Sequence, residues 1–366
     1  MAESRSGSRD LSPITPRDAV ERFIERRQSD STEQTLRTYH DRLMRFVRWL
    51  EHEDILNLNV VGGRDLQEYL AYRQQTCNRT TLNNEFGTLK KFFEFLVAIE
   101  ATEPAMPDRV QLLKPTASAD DQTNVEKLPP ERAREILEYL ERFEYAGRRH
   151  VTMLLMWRFA FRLGDLRAID VEDCSFDGEI DKERRRMIGE RTENVPEEIG
   201  PHLYMIHRPE SGTPLKNKSK SERIVSLTDD EVRVLQDYID KKRTEQIDEN
   251  GRRPLLTSTH GRPTNTCVRR WMYRLTQPCL VGPCPHDKDP ETCEYREHGH
   301  ESGCPSVKSP HKVRTGAISN MRECGISPED VSERVDATPE TIRQHYDFSD
   351  ELQRLENRRE RFEDLE

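Results

Sequence analysis

The sequence predicts a mainly α-helical protein of two domains with one small β-hairpin, an α+β arrangement. Between residues 14 and 100, apolar residues recur at helical spacing in four successive stretches. A polar stretch with three prolines, residues 101–126, interrupts this pattern and predicts a linker. Beyond it, helical patterns flank two strand patterns that are joined by a basic turn. The length of 366 residues suits two domains of ordinary size.

The composition predicts a cytoplasmic protein without a membrane partner. Mean hydropathy is −0.91, no apolar run approaches a membrane span, and the start MAESRSGSRDLSP has no apolar signal region. A net charge of −10 would by itself argue against nucleic acid. However, 34% of the residues are charged, and abundant Asp and Glu with few Lys suggest adaptation to a salty cytoplasm. Local basic clusters are then more informative than the total charge.

The first domain is predicted to be a compact helical bundle over residues 14–100. Residues 1–13 are polar and without periodicity, which predicts a disordered tail. The first helix is predicted at Thr15-Pro16, where threonine is the cap and proline the first helical residue. The basic residues of the bundle either follow a phosphate backbone or form a solvated face, and both interpretations stay open. These residues are Arg37, Arg73, Arg79, Lys90 and Lys91.

The second domain is predicted over residues 127–348, and a charged helix over 349–366 follows it. Its predicted elements are helices over 130–145, 148–162, 228–246 and 264–276, and strands over 202–208 and 222–227. In this scheme Arg162 ends an apolar helix. The turn-rich loop between the strands is basic and holds Lys216, Lys218 and Lys220.

Residues 310–346 carry side chains that suit phosphate chemistry. His311 and Arg314 are three residues apart and so share one face of a helix turn, and Tyr346 follows on a short helix. An arginine fork grips two phosphate oxygens, a histidine donates a hydrogen bond or moves a proton, and a tyrosine hydroxyl can attack phosphorus. Taken alone, the stretch fits a packed tyrosine near two surface cations equally well. The phosphate interpretation also needs a second arginine and a general acid.

Both are present, and the motifs occur in the order Arg162, Lys218, His311 with Arg314, and Tyr346. That order resembles the tyrosine recombinases, the family of phage integrases and of Xer- and Cre-like site-specific recombinases, including archaeal types. The family follows its first arginine with an acidic residue and a leucine, as Asp165 and Leu166 do here. Its lysine lies on a β-hairpin, and counting back eight residues from Ser226 gives Lys218, with Lys216 and Lys220 as close competitors.

One position departs from the family pattern. The family usually has Leu-Gly-His or Leu-Gly-Trp nine residues before the tyrosine, where this chain has Val335-Asp336-Ala337. The sixth residue of the site is therefore missing or supplied elsewhere, with His345 and Asp336 as candidates.

The resemblance implies a role for each motif residue. Arg162 and Arg314 would clamp the scissile phosphate, and Tyr346 would attack it to give a 3'-phosphotyrosyl link and a free 5'-hydroxyl. Lys218 would protonate the leaving oxygen, and His311 would assist proton transfer or hold the phosphate. A supporting acid, Asp165, would either brace the fold around the first arginine or orient the histidine.

The resemblance also implies the fold, the partners and the reaction. It implies a helical core-binding domain followed by a tyrosine-recombinase catalytic domain, acting on double-stranded DNA as a homo-tetramer on paired sites and associated with the nucleoid. Neither ATP nor a metal is needed for the chemistry, and residues 349–366 would dock on a neighbouring protomer. Two alternatives stay open: a relative that binds DNA without cutting it, and a type IB topoisomerase-like activity.

A segment rich in cysteine and histidine, residues 279–304, predicts a structural zinc site inserted in the catalytic domain. It has many Pro and Gly residues and few apolar residues, so it cannot build a core, and a metal would fold it. Thiolates and imidazoles are zinc ligands, and the candidates are Cys279, Cys284, Cys293 and Cys304, with His286, His298 and His300 as replacements. The alternative is a loop with scattered thiols, because the spacing is not a standard C-x-x-C pair.

Overall fold

Two separate hydrophobic cores divide the chain into the units Met1–Asn124 and Val125–Glu366. The structure, a computed structural model, describes residues 11–116, 126–180, 184, 199–345 and 359. Most of the predicted tail, Tyr346, and the predicted final helix apart from Arg359 lie outside these residues. Among the described helices, none is both long enough and apolar enough to cross a membrane.

The first unit is a helical bundle, as predicted. Its helices are α1 (Pro16–Arg27), α2 (Glu33–His52), α3 (Gly63–Gln74), α4 (Arg79–Ala98) and α5 (Met106–Leu113). The Oγ1 atom of Thr15 accepts a hydrogen bond from the Asp18 amide at 3.2 Å and caps α1. The core of the unit is aromatic, since Phe46, Phe86 and Phe93 are all fully buried.

Helix α5 lies inside the predicted linker, residues 101–126, which therefore starts too early. Met106 and Val110 lie one helical turn apart and are both buried in the core of the first unit. Asn83 Nδ2 donates to the Pro115 carbonyl at 2.7 Å and ties the following chain to α4. The prolines of this stretch concealed a helix because proline is tolerated in a first turn, where Pro107 stands.

The second unit is mostly helical around a small sheet. Its helices are α6 (Pro130–Phe143), α7 (Arg148–Arg158), α8 (Leu163–Ala168), α9 (Asp229–Asp237), which continues as a π-helical turn (Tyr238–Lys242), α10 (Asn265–Thr276), α11 (Pro310–Glu323), α12 (Pro328–Val335) and α13 (Pro339–His345). Its strands are β1 (Cys174–Ser175), β2 (His202–Met205) and β3 (Arg223–Ser226).

The three strands form one antiparallel sheet in the order β1-β2-β3. In the β2–β3 hairpin, Leu203 pairs with Val225 and Met205 pairs with Arg223. This confirms the predicted hairpin, with a shorter first strand than the sequence suggested. A basic loop, residues 206–222, joins the two strands and carries the three lysines.

The chain from α7 to α8 breaks where the sequence predicted a continuous helix over 148–162. Helix α7 ends at Arg158, and Ala160 has a positive φ of 48°, which no helix interior allows. Arg162 is then the N-cap of α8 rather than the end of a helix, and its amide donates to Asp165 Oδ2 at 3.2 Å. The prediction was wrong because the apolar pattern continues through Phe159 and Phe161, which are buried on both sides of the break.

Candidate active site

Helix α11 holds Arg314 deep in the second unit. Gly316 lies against the start of this unit so closely that an added Cβ would meet the Leu128 carbonyl oxygen at 2.2 Å. Arg314 is only 3% exposed. Its Nη1 donates to the Ala160 carbonyl, and its Nη2 donates to the Val335 carbonyl at 2.8 Å. The arginine therefore joins the break before α8 to the end of α12.

Arg162 reaches the same turn from the other direction. Its Nη1 donates to the Asp336 carboxylate, and its Nη2 donates to the carbonyl oxygen of the same residue. Arg162 is one-fifth exposed, so it lies nearer to solvent than Arg314. The two arginines predicted to clamp one phosphate thus converge on adjacent residues, Val335 and Asp336.

The loop between β2 and β3 closes on this turn as well. Ser221 Oγ donates to Asp336 Oδ2 at 2.6 Å, and Asn217 Nδ2 lies 3.4 Å from Asp336 Oδ1. The Asn217 amide in turn donates to Ser221 Oγ at 3.1 Å, which fixes the loop internally. Neither Asn217 nor Ser221 was predicted as a site residue, because polar side chains in a turn-rich loop carry no distinguishing signal.

His311 is exposed at the start of α11, one helical turn before Arg314. Desolvation by the surrounding protein lowers the pKa of His311, and the positive charges of Arg314, Lys216 and Arg162 lower it further. Arg314, Lys216 and Arg162 are therefore close enough to His311 for their charges to act on it. Several positive charges this close together attract an anion to the space between them.

The three candidate lysines are exposed, and they differ in their relation to this cluster. The charge of Lys216 acts on His311, as described above. Lys218 has a positive φ of 59°, and its amide donates to the Leu215 carbonyl at 3.1 Å. The electrostatic contact favours Lys216 over Lys218 as the lysine of the site, whereas counting along the hairpin favoured Lys218.

Asp165 braces the fold around Arg162. This buried carboxylate caps the start of α8 and also accepts a hydrogen bond from Arg223 Nη2 at 3.1 Å. Arg223 donates further to the carbonyls of Ser221 and Arg334 at 3.0 and 3.1 Å. Arg223 thereby links β3 to the end of α12, a role that sequence reasoning missed because a basic residue at the edge of a strand usually faces solvent.

The helix before the predicted nucleophile begins as expected. Thr338 caps α13 by accepting from the Thr341 amide at 3.2 Å, and Ile342 is fully buried. The described part of this helix runs to His345. Tyr346 and the side chain of His345 lie outside the described residues, so their predicted roles rest on the sequence.

The basic residues of the first unit divide into two groups. Arg73 is half-buried and holds Glu85 with two hydrogen bonds of 3.0 Å. By contrast, Arg37 and Lys91 are exposed; Arg37 pairs with Glu33 at 2.5 Å within α2, and Lys91 donates to the Tyr39 hydroxyl at 3.0 Å. Arg79 is exposed at the start of α4, and Lys90 is partly exposed.

The positions of the Cys/His segment do not support the predicted zinc site. Across the described residues, which include all of 279–304, no three His, Cys, Asp or Glu side chains are placed to hold a metal ion. Burial raises the pKa of the Cys279 thiol, and the nearby charge of Arg296 opposes this shift. Two candidate histidines have other partners, since His286 Nε2 lies 2.9 Å from Ser306 Oγ and His298 lies against Arg270.

A known family model matches most of the first unit. Residues 20–100 match the family model described as phage integrase, N-terminal SAM-like domain. Relatives include the tyrosine recombinase XerC of Staphylococcus haemolyticus, 38% identical over 69 residues, and XerC of Staphylococcus carnosus, 34% identical over 97 residues. These alignments cover 19% and 26% of this chain and 23% and 29% of the relatives, so the chain spans less than a third of their length.

Matches to solved structures extend over both units. The Tn1549 transposon integrase in complex with circular intermediate DNA has a TM-score of 0.61 at 15% identity, covering 94% of this chain and 99% of that one. Lambda integrase bound to DNA has a TM-score of 0.53 at 14% identity, covering 88% and 91%. At these identities the likeness shows the fold alone, a helical N-terminal domain followed by a mainly helical domain with a small sheet.

Proposed function

We propose that this protein is a site-specific DNA recombinase that cleaves and rejoins double-stranded DNA through a 3'-phosphotyrosyl intermediate. The observation that carries the proposal is the convergence of Arg162 and Arg314 on one turn, with His311 within their electrostatic reach. Two guanidinium groups with a histidine make a cationic site that fits a phosphodiester. The two alternatives, DNA binding without cleavage and topoisomerase-like relaxation, are outcomes of the experiment below.

The reaction keeps the number of phosphodiester bonds constant. The Tyr346 Oη attacks the scissile phosphorus, its proton passes to a neighbouring base, and the bond from phosphorus to the 5'-oxygen breaks. Arg162 and Arg314 stabilise the charge that builds up on the non-bridging oxygens. A 5'-hydroxyl from a partner strand then attacks the phosphotyrosine and releases the enzyme. Because the covalent link conserves the bond energy, the proposed chemistry uses neither ATP nor a metal.

A lysine of the β2–β3 loop would protonate the leaving 5'-oxygen. The electrostatic contact with His311 supports Lys216, and the spacing from Ser226 supports Lys218. A substrate with sulphur at the 5'-bridging position separates them, because a thiolate leaves without protonation. We expect the variant of the true general acid to lose about 100-fold or more on the oxygen substrate and to be restored on the sulphur substrate. Lys220→Ala is the matched control and should change neither rate.

The proposed assembly is a tetramer on two paired DNA sites, found with the nucleoid in the cytoplasm. Strand exchange needs two duplexes and one active site for each of the four cut strands. Support for DNA as the partner comes from the fold, which the DNA-bound integrases above share. Cross-linking in the presence and absence of duplex DNA would establish the stoichiometry.

The decisive experiment traps the covalent intermediate. Nicked duplexes tiled from the DNA that flanks the gene are incubated with the full chain at high salt and resolved on a denaturing gel. We expect one duplex to give a protein–DNA adduct that Tyr346→Phe abolishes without loss of duplex binding. Binding without an adduct would favour the non-cutting alternative, and relaxation of a supercoiled plasmid without paired sites would favour the topoisomerase alternative.

We propose a structural zinc ion in residues 279–304 on the basis of the sequence alone. Elemental analysis of the purified protein tests it directly. One equivalent of zinc that Cys284→Ser removes would establish the site and would require the segment to rearrange around the metal. Absence of zinc after purification without chelators would leave a loop with scattered thiols.

A further inference from the structure

We infer that the Asp336 carboxylate occupies the phosphate position of Arg162 and must be displaced by DNA before cleavage. This inference rests on the proposed function and deepens it. The turn from Val335 to Ala337 would then compete with the scissile phosphate for Arg162. At the position of Asp336 the family usually has a glycine, which has no side chain.

The contacts of Asp336 resemble those of a bound anion. The Nη1 and Nη2 atoms of Arg162 both donate to this one residue, to its carboxylate and to its carbonyl oxygen. Ser221 Oγ donates to the same carboxylate at 2.6 Å, and Asn217 Nδ2 lies within 3.5 Å of both of its oxygens. Phosphate and carboxylate present the same kind of oxygen acceptors to an arginine fork. The two anions therefore cannot hold the same guanidinium nitrogens at once.

The position of Asp336 leaves its ion pair open to exchange. Asp336 ends α12 in the left-handed conformation, with φ 55° and ψ 58°, which aspartate tolerates better than most residues with a Cβ. Its side chain is 12% exposed, whereas Arg314 is 3% exposed, so solvent reaches this pair. A partly exposed ion pair is easier to exchange than a fully buried one.

Displacement of Asp336 would release two parts of the site together. Its carboxylate holds both Arg162 and, through Ser221 and Asn217, the β2–β3 loop with the candidate lysines. One incoming phosphate would therefore free the first arginine and the lysine loop in the same step. Cleavage is thereby coupled to correct placement of DNA, which limits cutting by protein that is not properly engaged.

An alternative role for Asp336 makes the opposite prediction. If Asp336 only positions Arg162, removing its side chain should disorder the arginine and slow the reaction. Asp336→Asn and Asp336→Gly separate the two roles, since both residues tolerate the left-handed conformation. Asparagine keeps a neutral hydrogen-bonding side chain, whereas glycine removes every side-chain contact. Glu333→Gln, on the exposed face of α12, removes one negative charge elsewhere on the same helix and is the matched control.

The first measurement is the single-turnover rate of adduct formation on the nicked duplex identified by trapping. We expect both Asp336 variants to react about tenfold faster than the wild-type chain, since they no longer spend most of their time in a state that excludes the phosphate. Glu333→Gln should react at the wild-type rate. A wild-type adduct with equal or slower rates in both Asp336 variants would overturn this inference and leave the proposed function intact.

The second measurement does not depend on cleavage. In a Tyr346→Phe background, the affinity for a duplex with a normal scissile phosphate is compared with that for a duplex carrying a neutral methylphosphonate there. We expect Asp336→Asn to increase the preference for the charged phosphate about tenfold over the chain with Asp336 intact. An unchanged preference would overturn the inference whether or not an adduct forms. Failure to form an adduct would instead count against the proposed function.

Discussion

Each unit pairs a carboxylate with an arginine, and the two carboxylates differ in their burial. In the first unit, Glu85 is 1% exposed and accepts hydrogen bonds from Tyr69 and Arg73, with Arg45 at 3.6 Å. In the second unit, the Asp336 side chain is 12% exposed and pairs with Arg162, which is 20% exposed. The same residue types thus surround a fully buried carboxylate in one place and a partly exposed one in the other.

From this difference we expect burial of the carboxylate, rather than residue type, to distinguish a structural cluster from a functional one. Both Glu85 oxygens are used by the two nitrogens of Arg73 in a bidentate pair, which leaves no place for a ligand. Burial, followed by the charge of Glu85, raises the pKa of Tyr69, so this hydroxyl stays protonated as a donor. Around Asp336, by contrast, His311 and the lysines of the loop remain exposed to solvent.

The largest effect is expected for Arg314→Ala. Arg314 is the buried half of the predicted phosphate clamp, so its loss should slow adduct formation by about 1,000-fold or more. DNA binding should be retained for the most part, because in the proposed complex the bundle and the other cations would contact DNA independently of Arg314. Gel-based adduct formation and equilibrium binding of the same duplex measure the two properties.

The burial of Arg314 requires a folding control for that variant. Thermal unfolding of Arg314→Ala and Arg314→Lys shows whether lost activity reflects lost structure. Lysine keeps the charge but not the two-carbonyl fork to Ala160 and Val335. Full cleavage activity of a folded Arg314→Ala protein would contradict the assignment of the site.

Glu85→Ala tests whether the buried carboxylate cluster stabilises the first unit. Removing one partner of a buried charge pair leaves Arg73 uncompensated, and we expect a loss of about 3–5 kcal/mol in the free energy of unfolding of the first unit. Denaturant unfolding of the full chain at constant high salt, followed by tryptophan fluorescence, measures the loss. Glu94→Ala is the matched control on the exposed face of α4 and should unfold like the wild type. Equal midpoints for the two variants would show that the Glu85 network adds no stability.

Sequence patterns predicted those parts of the fold that depend on local spacing. The apolar periodicity of the bundle and the strand pattern before Ser226 need only neighbouring residues, so the helices and the hairpin were recognised. The break at Ala160 escaped prediction because a single positive φ leaves no trace in an apolar pattern. Helix α5 was missed for the related reason that its prolines suggested a linker.

The site itself depends on contacts that sequence spacing does not contain. The motif order identified Arg162, His311 and Arg314 one by one. The convergence of the two arginines on the turn at Asp336 joins residues up to 174 positions apart, and only the tertiary fold brings them together. Asp336 was a candidate for the missing sixth residue because it departs from the family pattern, but nothing in the sequence indicated that it pairs with the first arginine.

A smaller effect is expected from the titration of His311. Its pKa is lowered in the folded protein, so between that value and the ordinary value near 6.5 the unfolded chain binds more protons. Stability should therefore fall as the pH drops below about 6.5, and this part of the fall should be absent in His311→Gln. The change should be small because the ring is exposed and screened by solvent. Thermal unfolding midpoints between pH 5 and pH 8 check this, and parallel curves for the two proteins would contradict the lowered pKa.

The smallest effect is expected for Arg37→Ala, which is best measured beside Arg73→Ala. Arg37 is 70% exposed in a pair with Glu33, so its removal should cost at most about 0.5 kcal/mol of stability. If its face of the bundle follows the DNA backbone, the variant should reduce the slope of log affinity against log salt by about one. Arg73→Ala should instead destabilise the first unit, because it leaves the buried Glu85 without its bidentate partner. An unchanged salt slope for Arg37→Ala would show that this face is solvated rather than bound, which would leave Arg79, Lys90 and Lys91 as the remaining candidates for the DNA contact.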